Sequence, residues 1–228
     1  MEQFTSKFLK KLLPLFFKQL YTRFAWAYDL VAWTTSMGQW KTWQSAAIEI
    51  LPEGDLLEVG HGPGHLLLTL ALGERKSIGV DSSIQMGRIA ARRLKRNGYR
   101  PNVIRSVVQH LPLPSGHFSC VLSTFPSEYI YDPDTLSEVQ RVLRPGGIFI
   151  IICTVYIIGR SIPDRFVAWL YRITGQTGEP GDNWSQPFDR VGFHSQLNYV
   201  QQERAVILRI VARKSQSQSG FAPSISQA

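Results

Sequence analysis

Asp55-Leu56-Leu57-Glu58-Val59-Gly60-His61-Gly62-Pro63-Gly64-His65-Leu66 is the stretch whose reading decides the fold. Leu56, Leu57 and Val59 form a short apolar run that reads as a buried strand. Glycines at alternate positions, Gly60, Gly62 and Gly64, make a turn, and Leu66 to Leu72 opens at once into a helix-like apolar run. Strand, glycine turn and helix let backbone approach a ligand closely at the end of a sheet. Outward from this core, Arg75 to Val80 reads as a second short strand that ends on Asp81. A carboxylate about 20 residues after the first glycine suits two-point hydrogen bonding to a ribose diol.

The spacing separates two ligand classes. The dinucleotide fingerprint Gly-x-Gly-x-x-Gly would put its third glycine at position 65, which is His65. Gly-x-Gly-x-Gly with Glu58 two residues ahead resembles instead motif I of the class I S-adenosylmethionine-dependent methyltransferases. Leu111-Pro112-Leu113-Pro114-Ser115-Gly116-His117-Phe118 is similar to that family's turn before strand four. Glu138-Val139-Gln140-Arg141-Val142-Leu143-Arg144-Pro145-Gly146-Gly147 is similar to its helix and Arg-Pro-Gly-Gly turn before strand five.

The resemblance covers roughly residues 43–214. It implies a Rossmann-like α/β fold, a mostly parallel seven-stranded sheet with an antiparallel terminal strand and helices on both faces. It also implies S-adenosyl-L-methionine as cofactor. Glu58 would hold the cofactor's amino end through the loop, Gly60, Gly62 and Gly64 would permit close approach, and Asp81 would bind the ribose hydroxyls. Ser82, Met86, Val108, Gln109, Thr124 and, from the segment ahead, Tyr21 complete the expected cofactor shell. His61 stands where a small residue is commoner; contact with the cofactor and a solvent-facing position both remain open. Val107 stands where many relatives carry an Asp that accepts from the adenine amino group, with Gln109 or backbone near Val108 as substitutes. Ser119 likewise replaces the usual Asp after Phe118.

At 228 residues and 44% hydrophobic content, the chain suffices for one sizeable α/β domain. Three parts are expected: an amphipathic and aromatic helical arm and lid over 1–43, the cofactor-binding domain over 44–214, and a disordered Ser/Gln-rich tail over 215–228. The two cysteines, Cys120 and Cys153, each lie in an apolar strand-like run. They read as buried small hydrophobes, which argues against a disulfide framework or a metal site and for a reducing cytoplasm. No run reaches the roughly 18 apolar residues of a membrane span. Net charge is +8, from 25 basic and 17 acidic residues, and favours an anionic partner.

In helical projection, residues 4–20 set phenylalanines and leucines on one broad arc and Lys7, Lys10, Lys11 and Lys18 on the other. That pattern predicts peripheral contact with an anionic membrane surface. Tyr21 to Val31 resembles the segment preceding motif I in bacterial phospholipid N-methyltransferases and in ubiquinone and menaquinone C-methyltransferases. The resemblance implies a lid, with Tyr21, Tyr28 and Asp29 lining the site. Further on, Ser83 to Asn97 reads as a basic helix, with no Asp or Glu between Ser82 and Gly116. Strands three to five are expected at Asn102 to Val108, Phe118 to Thr124 and Ile148 to Thr154. Glu128, Tyr129 and Tyr131 follow strand four at the expected ligand edge and, with Tyr28, are the catalytic candidates. Arg165, Trp169 and Arg172 share one face of a helix expected to run to Ile173 and suit a lipid phosphate; His194 is a further substrate-side candidate. Gly175 to Pro187 reads as a mobile loop, and Leu197 to Gln201 and Ala205 to Ala212 as terminal strands.

The leading expectation is a peripheral membrane enzyme methylating a phospholipid headgroup amine or similar lipid. The alternative is C- or O-methylation of a quinone or other hydrophobic small molecule. RNA methylation is disfavoured because no RNA-binding module is visible. A non-catalytic cofactor-binding protein is the reading from a different class.

Overall fold

The computed structural model describes residues 40–159, 161, 164, 165, 167, 168, 181 and 183–216. Seven strands form one sheet: β1 Leu56–Val59, β2 Ser77–Asp81, β3 Val103–Arg105, β4 Phe118–Thr124, β5 Leu143–Ile157, β6 Phe193–Gln201 and β7 Ala205–Lys214. Their order is β3-β2-β1-β4-β5-β7-β6. The first five run parallel, and β7 is antiparallel to both of its neighbours.

Central strands of such a sheet are apolar on both faces because helices cover both, and all four residues of β1 are buried. On one face Leu56, Cys120, Leu122, Ile150 and Ile152 pack with Trp43, Ala46, Leu66 and Leu70, which come from helices α1 (Trp40–Ile48) and α2 (His65–Leu72). On the other, Leu57, Val59, Val121, Phe149 and Ile151 pack with Leu136, Val139 and Phe188, carried by α4 (Pro133–Val142) and α5 (Gln186–Arg190). Between β2 and β3, α3 (Ile84–Arg96) buries Met86, Ala90 and Leu94, spaced four apart. Arg88, Arg92, Lys95 and Arg96 are exposed. Ser83 caps this helix by accepting from the Met86 amide at 3.3 Å. Cys120 is buried, Cys153 is half-buried, and both are free thiols.

Two of the recognisable sequence segments turn out to hold each other. Arg141 of α4 donates to Glu138 through Nε at 2.6 Å and Nη2 at 2.9 Å. It also reaches the Leu113 and Leu111 carbonyls at 2.9 and 3.0 Å, while Glu138 accepts from the Leu111 amide at 2.8 Å. The turn over residues 111–115 is thereby fixed to α4. Bidentate Arg–carboxylate geometry with several backbone acceptors is worth more than an isolated surface pair. Arg141→Ala removes the donor to two carbonyls and to Glu138, which keeps only the Leu111 amide, and is expected to cost about 2 kcal/mol, read as a lower urea midpoint with the m-value unchanged.

Several elements differ from the sequence expectation. β3 is three residues long rather than seven, because residues 106–110 turn away toward α4. β5 begins at Leu143, and Arg144-Pro145-Gly146-Gly147 becomes an irregularity within it: Phe118 pairs Leu143, and Cys120 already pairs Ile148. β6 begins at Phe193 rather than Leu197. The expected loop through Pro187 closes into α5, with Phe188 fully buried. The readings of residues 4–20, Tyr21, Tyr28, Asp29, Trp169, Arg172 and the tail from 217 lie outside the described residues.

Candidate functional site

Strand order reverses between β1 and β4, so a crevice opens at their carboxyl ends. The loop from β1 to α2 lines it. Gly60, Gly62 and Gly64 have φ of 71°, 52° and 76°, a region that side chains rarely enter. Gly60 is also pressed from above, since a Cβ there would overlap the Tyr129 hydroxyl. At Gly64 a Cβ would lie 2.7 Å from that of Ala90, so α2 and α3 could not approach as they do.

Asp81, at the end of β2, organises the loop. Its Oδ2 accepts from the Gly62 amide at 2.9 Å and its Oδ1 from the Ser83 amide at 2.8 Å. A carboxylate has about four acceptor positions, so two remain for a ligand. Ser83 was not singled out as a site residue in the sequence; its place as an N-cap two residues after the acid is the signal that could have found it.

Beneath the loop lie two buried polar groups. Glu58 is 1% exposed, and its Oε2 has no hydrogen-bond partner. Burial holds its carboxyl well above the usual range, Asp81 adds to this, and a hydrogen bond from the Leu67 amide partly offsets it. His61, 4% exposed, does not face solvent. Its Nδ1 donates to the Gly62 carbonyl at 2.7 Å, which fixes the tautomer because a carbonyl only accepts. Burial lowers its pKa, against the opposing pull of Asp81, and its Nε2 has no partner. The ring lies over β2, where Gly79 makes room: a Cβ there would stand 2.5 Å from Leu67 Cδ1 and 2.9 Å from His61 Cδ2.

Across the crevice, β4 ends at Thr124, and Phe125 takes φ 52°. Such a conformation in a bulky residue is costly and is found where neighbouring structure enforces it. Trp43 packs edge-on against Phe125 at 6.1 Å, and the Phe125 amide donates to the Ile152 carbonyl at 2.8 Å. The chain then turns through Pro126 into a short 3-10 turn, Glu128–Tyr131.

Of the catalytic candidates here, Tyr129 reaches the glycine loop and Glu128 is exposed beside it. Tyr131 turns away. Its ring meets Phe188 edge-on at 6.1 Å, and it hydrogen-bonds Cys153, whose thiol burial pushes up to about 11.

The remaining site expectations divide. Ser82 is exposed beside Asp81, and its carbonyl accepts from Arg105 Nε at 3.2 Å. Met86 and Val108 are core side chains. Gln109 donates to Asp132 Oδ2 at 3.0 Å. Ser119 is buried at the far end of β4, with its Oγ donating to the Asp55 carbonyl at 3.0 Å, so its departure from the family pattern lies away from the ligand edge. Arg165 is exposed next to Asp164, which is ion-paired with Arg204 at 2.5 Å. His194 is a correction. It pairs with Arg213, which pairs with Ile148 at the amino end of β5, at least four residues, or roughly 13 Å of strand, from the ligand edge. Because β6, like β5, is antiparallel to β7, it starts at the amino end of the sheet, the wrong end for a substrate role. No group of metal-ligating side chains occurs among the described residues.

The site therefore offers a glycine cradle, a carboxylate with two acceptor positions left over and a buried carboxyl with one oxygen unpartnered. That set fits a ligand with a ribose and a charged amino end. Residues 56–147 match the family described as a methyltransferase domain. Among curated proteins the chain is similar to a demethylmenaquinone methyltransferase of Symbiobacterium thermophilum, 32% identical over 58% of this chain and 57% of that protein. A demethylmenaquinone methyltransferase of Tropheryma whipplei is 31% identical over 68% of this chain and 64% of that protein. The chain thus spans about 57–64% of the length of these curated relatives. In fold it resembles an S-adenosylmethionine-dependent methyltransferase structure from Methanococcus maripaludis, with a TM-score of 0.64, 16% identity, and 88% and 96% of the two chains covered. It also resembles a phosphoethanolamine N-methyltransferase from Haemonchus contortus in complex with S-adenosyl-L-methionine, at TM-score 0.58, 16% identity, and 78% and 53% coverage.

Proposed function

We propose that this chain, a class I S-adenosylmethionine-dependent methyltransferase, methylates a ring carbon of a quinone-type acceptor. The observation that carries this choice of acceptor is the naming of two relatives, at 32% and 31% identity, as demethylmenaquinone methyltransferases. Phospholipid amine methylation, the leading expectation from sequence, has no such support, since the phosphoethanolamine enzyme shares 16% identity and speaks only for the fold.

When bound, S-adenosyl-L-methionine supplies an electrophilic methyl group on a sulfonium. Asp81 would hold its ribose hydroxyls, the glycine loop its amino-acid portion, and Glu58 its ammonium end through that loop. Beyond these contacts the protein's task is alignment and exclusion of water. Tyr129, above Gly60, would orient the acceptor's ring hydroxyl, and Tyr129 or Glu128 would take the proton that the acceptor gives up, directly or through one water. A quinone with a long apolar tail resides in a bilayer. Membrane contact through residues 4–20 therefore belongs to the same proposal; among the described residues no helix is long and apolar enough to cross a membrane.

The test offers the full chain a reduced demethylated naphthoquinone in liposomes and, separately, phosphatidylethanolamine liposomes, with methyl-deuterated cofactor. A one-methyl mass gain on the quinol ring, with phosphatidylethanolamine unchanged, is expected. Methylated phosphatidylethanolamine with an untouched quinol would reverse the choice of acceptor.

A further inference from the structure

The ligand edge of β3 presents an apolar side chain where a purine should lie. Along this edge the glycine loop closes β1, Asp81 closes β2 and the Tyr129 loop closes β4. A ligand with its ribose on Asp81 and its reacting end toward β4 must run its base the other way, over the end of β3. Residues 106–109 stand there. Val107 is 48% exposed, unusual for a valine just past a strand. No carboxylate stands within this stretch, and its polar side chains already hold partners on the protein, Gln109 through its donor end. Ser106 Oγ donates to the Val107 and His110 carbonyls at 3.2 and 2.8 Å, and Gln109 Nε2 is tied to Asp132 at 3.0 Å. The Val107 carbonyl also accepts from the His110 amide at 3.3 Å.

We propose that Val107 leaves position 6 of the purine unread, so that the pocket takes cofactors whether that position carries an amino group, a bulkier substituent or hydrogen alone. An apolar side chain packs against the ring edge and gains nothing from an N–H donor. A carboxylate there would gain a charge-assisted hydrogen bond and would be left with a lost partner by any analogue lacking the donor. The proposal rests on the cofactor reading.

Calorimetry tests both, using S-adenosylhomocysteine, its 6-deamino analogue and its N6,N6-dimethyl analogue. The parent protein should bind all three within about threefold, and Val107→Asp should favour the amino form by roughly tenfold or more. Discrimination of tenfold or more by the parent against either analogue would overturn the proposal, as would a Val107→Asp protein with no preference. Failure of S-adenosylhomocysteine itself to bind the folded parent would instead bring down the cofactor reading, and the proposal with it.

Discussion

Asp81→Ala is expected to lower affinity for S-adenosylmethionine at least 100-fold. Two hydroxyls bound by one carboxylate are charge-assisted hydrogen bonds of about 1.5–3 kcal/mol each, and each 1.4 kcal/mol is about tenfold. A second loss compounds the first. The same carboxylate holds the Gly62 and Ser83 amides at 2.9 and 2.8 Å, so its removal frees the loop as well as the ligand. Asp81→Asn separates the two roles: its carbonyl can keep one of these amides, while its NH2 cannot accept the other. It should bind more weakly than the parent but better than the alanine variant, as read by calorimetry. Parent-like affinity in the alanine variant would remove the ribose assignment.

Glu58→Gln is expected to act in opposite directions on stability and binding. The folded protein holds the Glu58 carboxyl well above its ordinary range by burial, whereas in the unfolded chain it titrates near 4.3. An acid raised in this way contributes its stability below the unfolded value. That contribution is lost as pH rises from there through the folded value, because the unfolded state releases the proton first. Glutamine removes this pH-dependent loss. At pH 7 the ligand-free variant should be more stable by about 1 kcal/mol, or roughly 2–4 °C in Tm, with no gain at pH 4. Affinity for the cofactor should fall about tenfold or more, because a neutral amide cannot supply the charge that an ammonium group draws on. In the parent, binding should release a proton, seen as a dependence of binding heat on the buffer's ionisation enthalpy. A buffer-independent heat, or an unchanged Tm in the variant, would count against this account of Glu58.

What the sequence made legible was the part written in backbone chemistry. Alternate glycines were readable because only glycine sits comfortably at positive φ, and all three do so here. Asp81 was readable because it closed a strand at a fixed distance from that turn. Side-chain direction was not. Tyr129 and Tyr131 look alike in sequence, yet one reaches the glycine loop and the other turns to Phe188, because a 3-10 turn follows a residue with unusual backbone. His61 was ambiguous for lack of its counterpart: it is buried where Gly79 leaves room, and nothing near His61 in the sequence marks that glycine as its neighbour. His194 failed through strand direction. Nothing in residues 193–201 says which way the strand runs; β6 is antiparallel to β7 and so runs with β5, which puts its start, and His194, at the amino end of the sheet.

The position of β7 between β5 and β6 has a consequence for synthesis of the protein. Among the described residues the last strand in chain order, Ala205–Lys214, is the only one that pairs with β6, and it covers the side of β5 away from β4. Until it arrives, the apolar run Ile148–Ile152 is an open strand edge, the kind that recruits other chains. Translation products ending between residues 201 and 205 should therefore accumulate as aggregates, although every residue of the glycine loop and of the crevice has already been made.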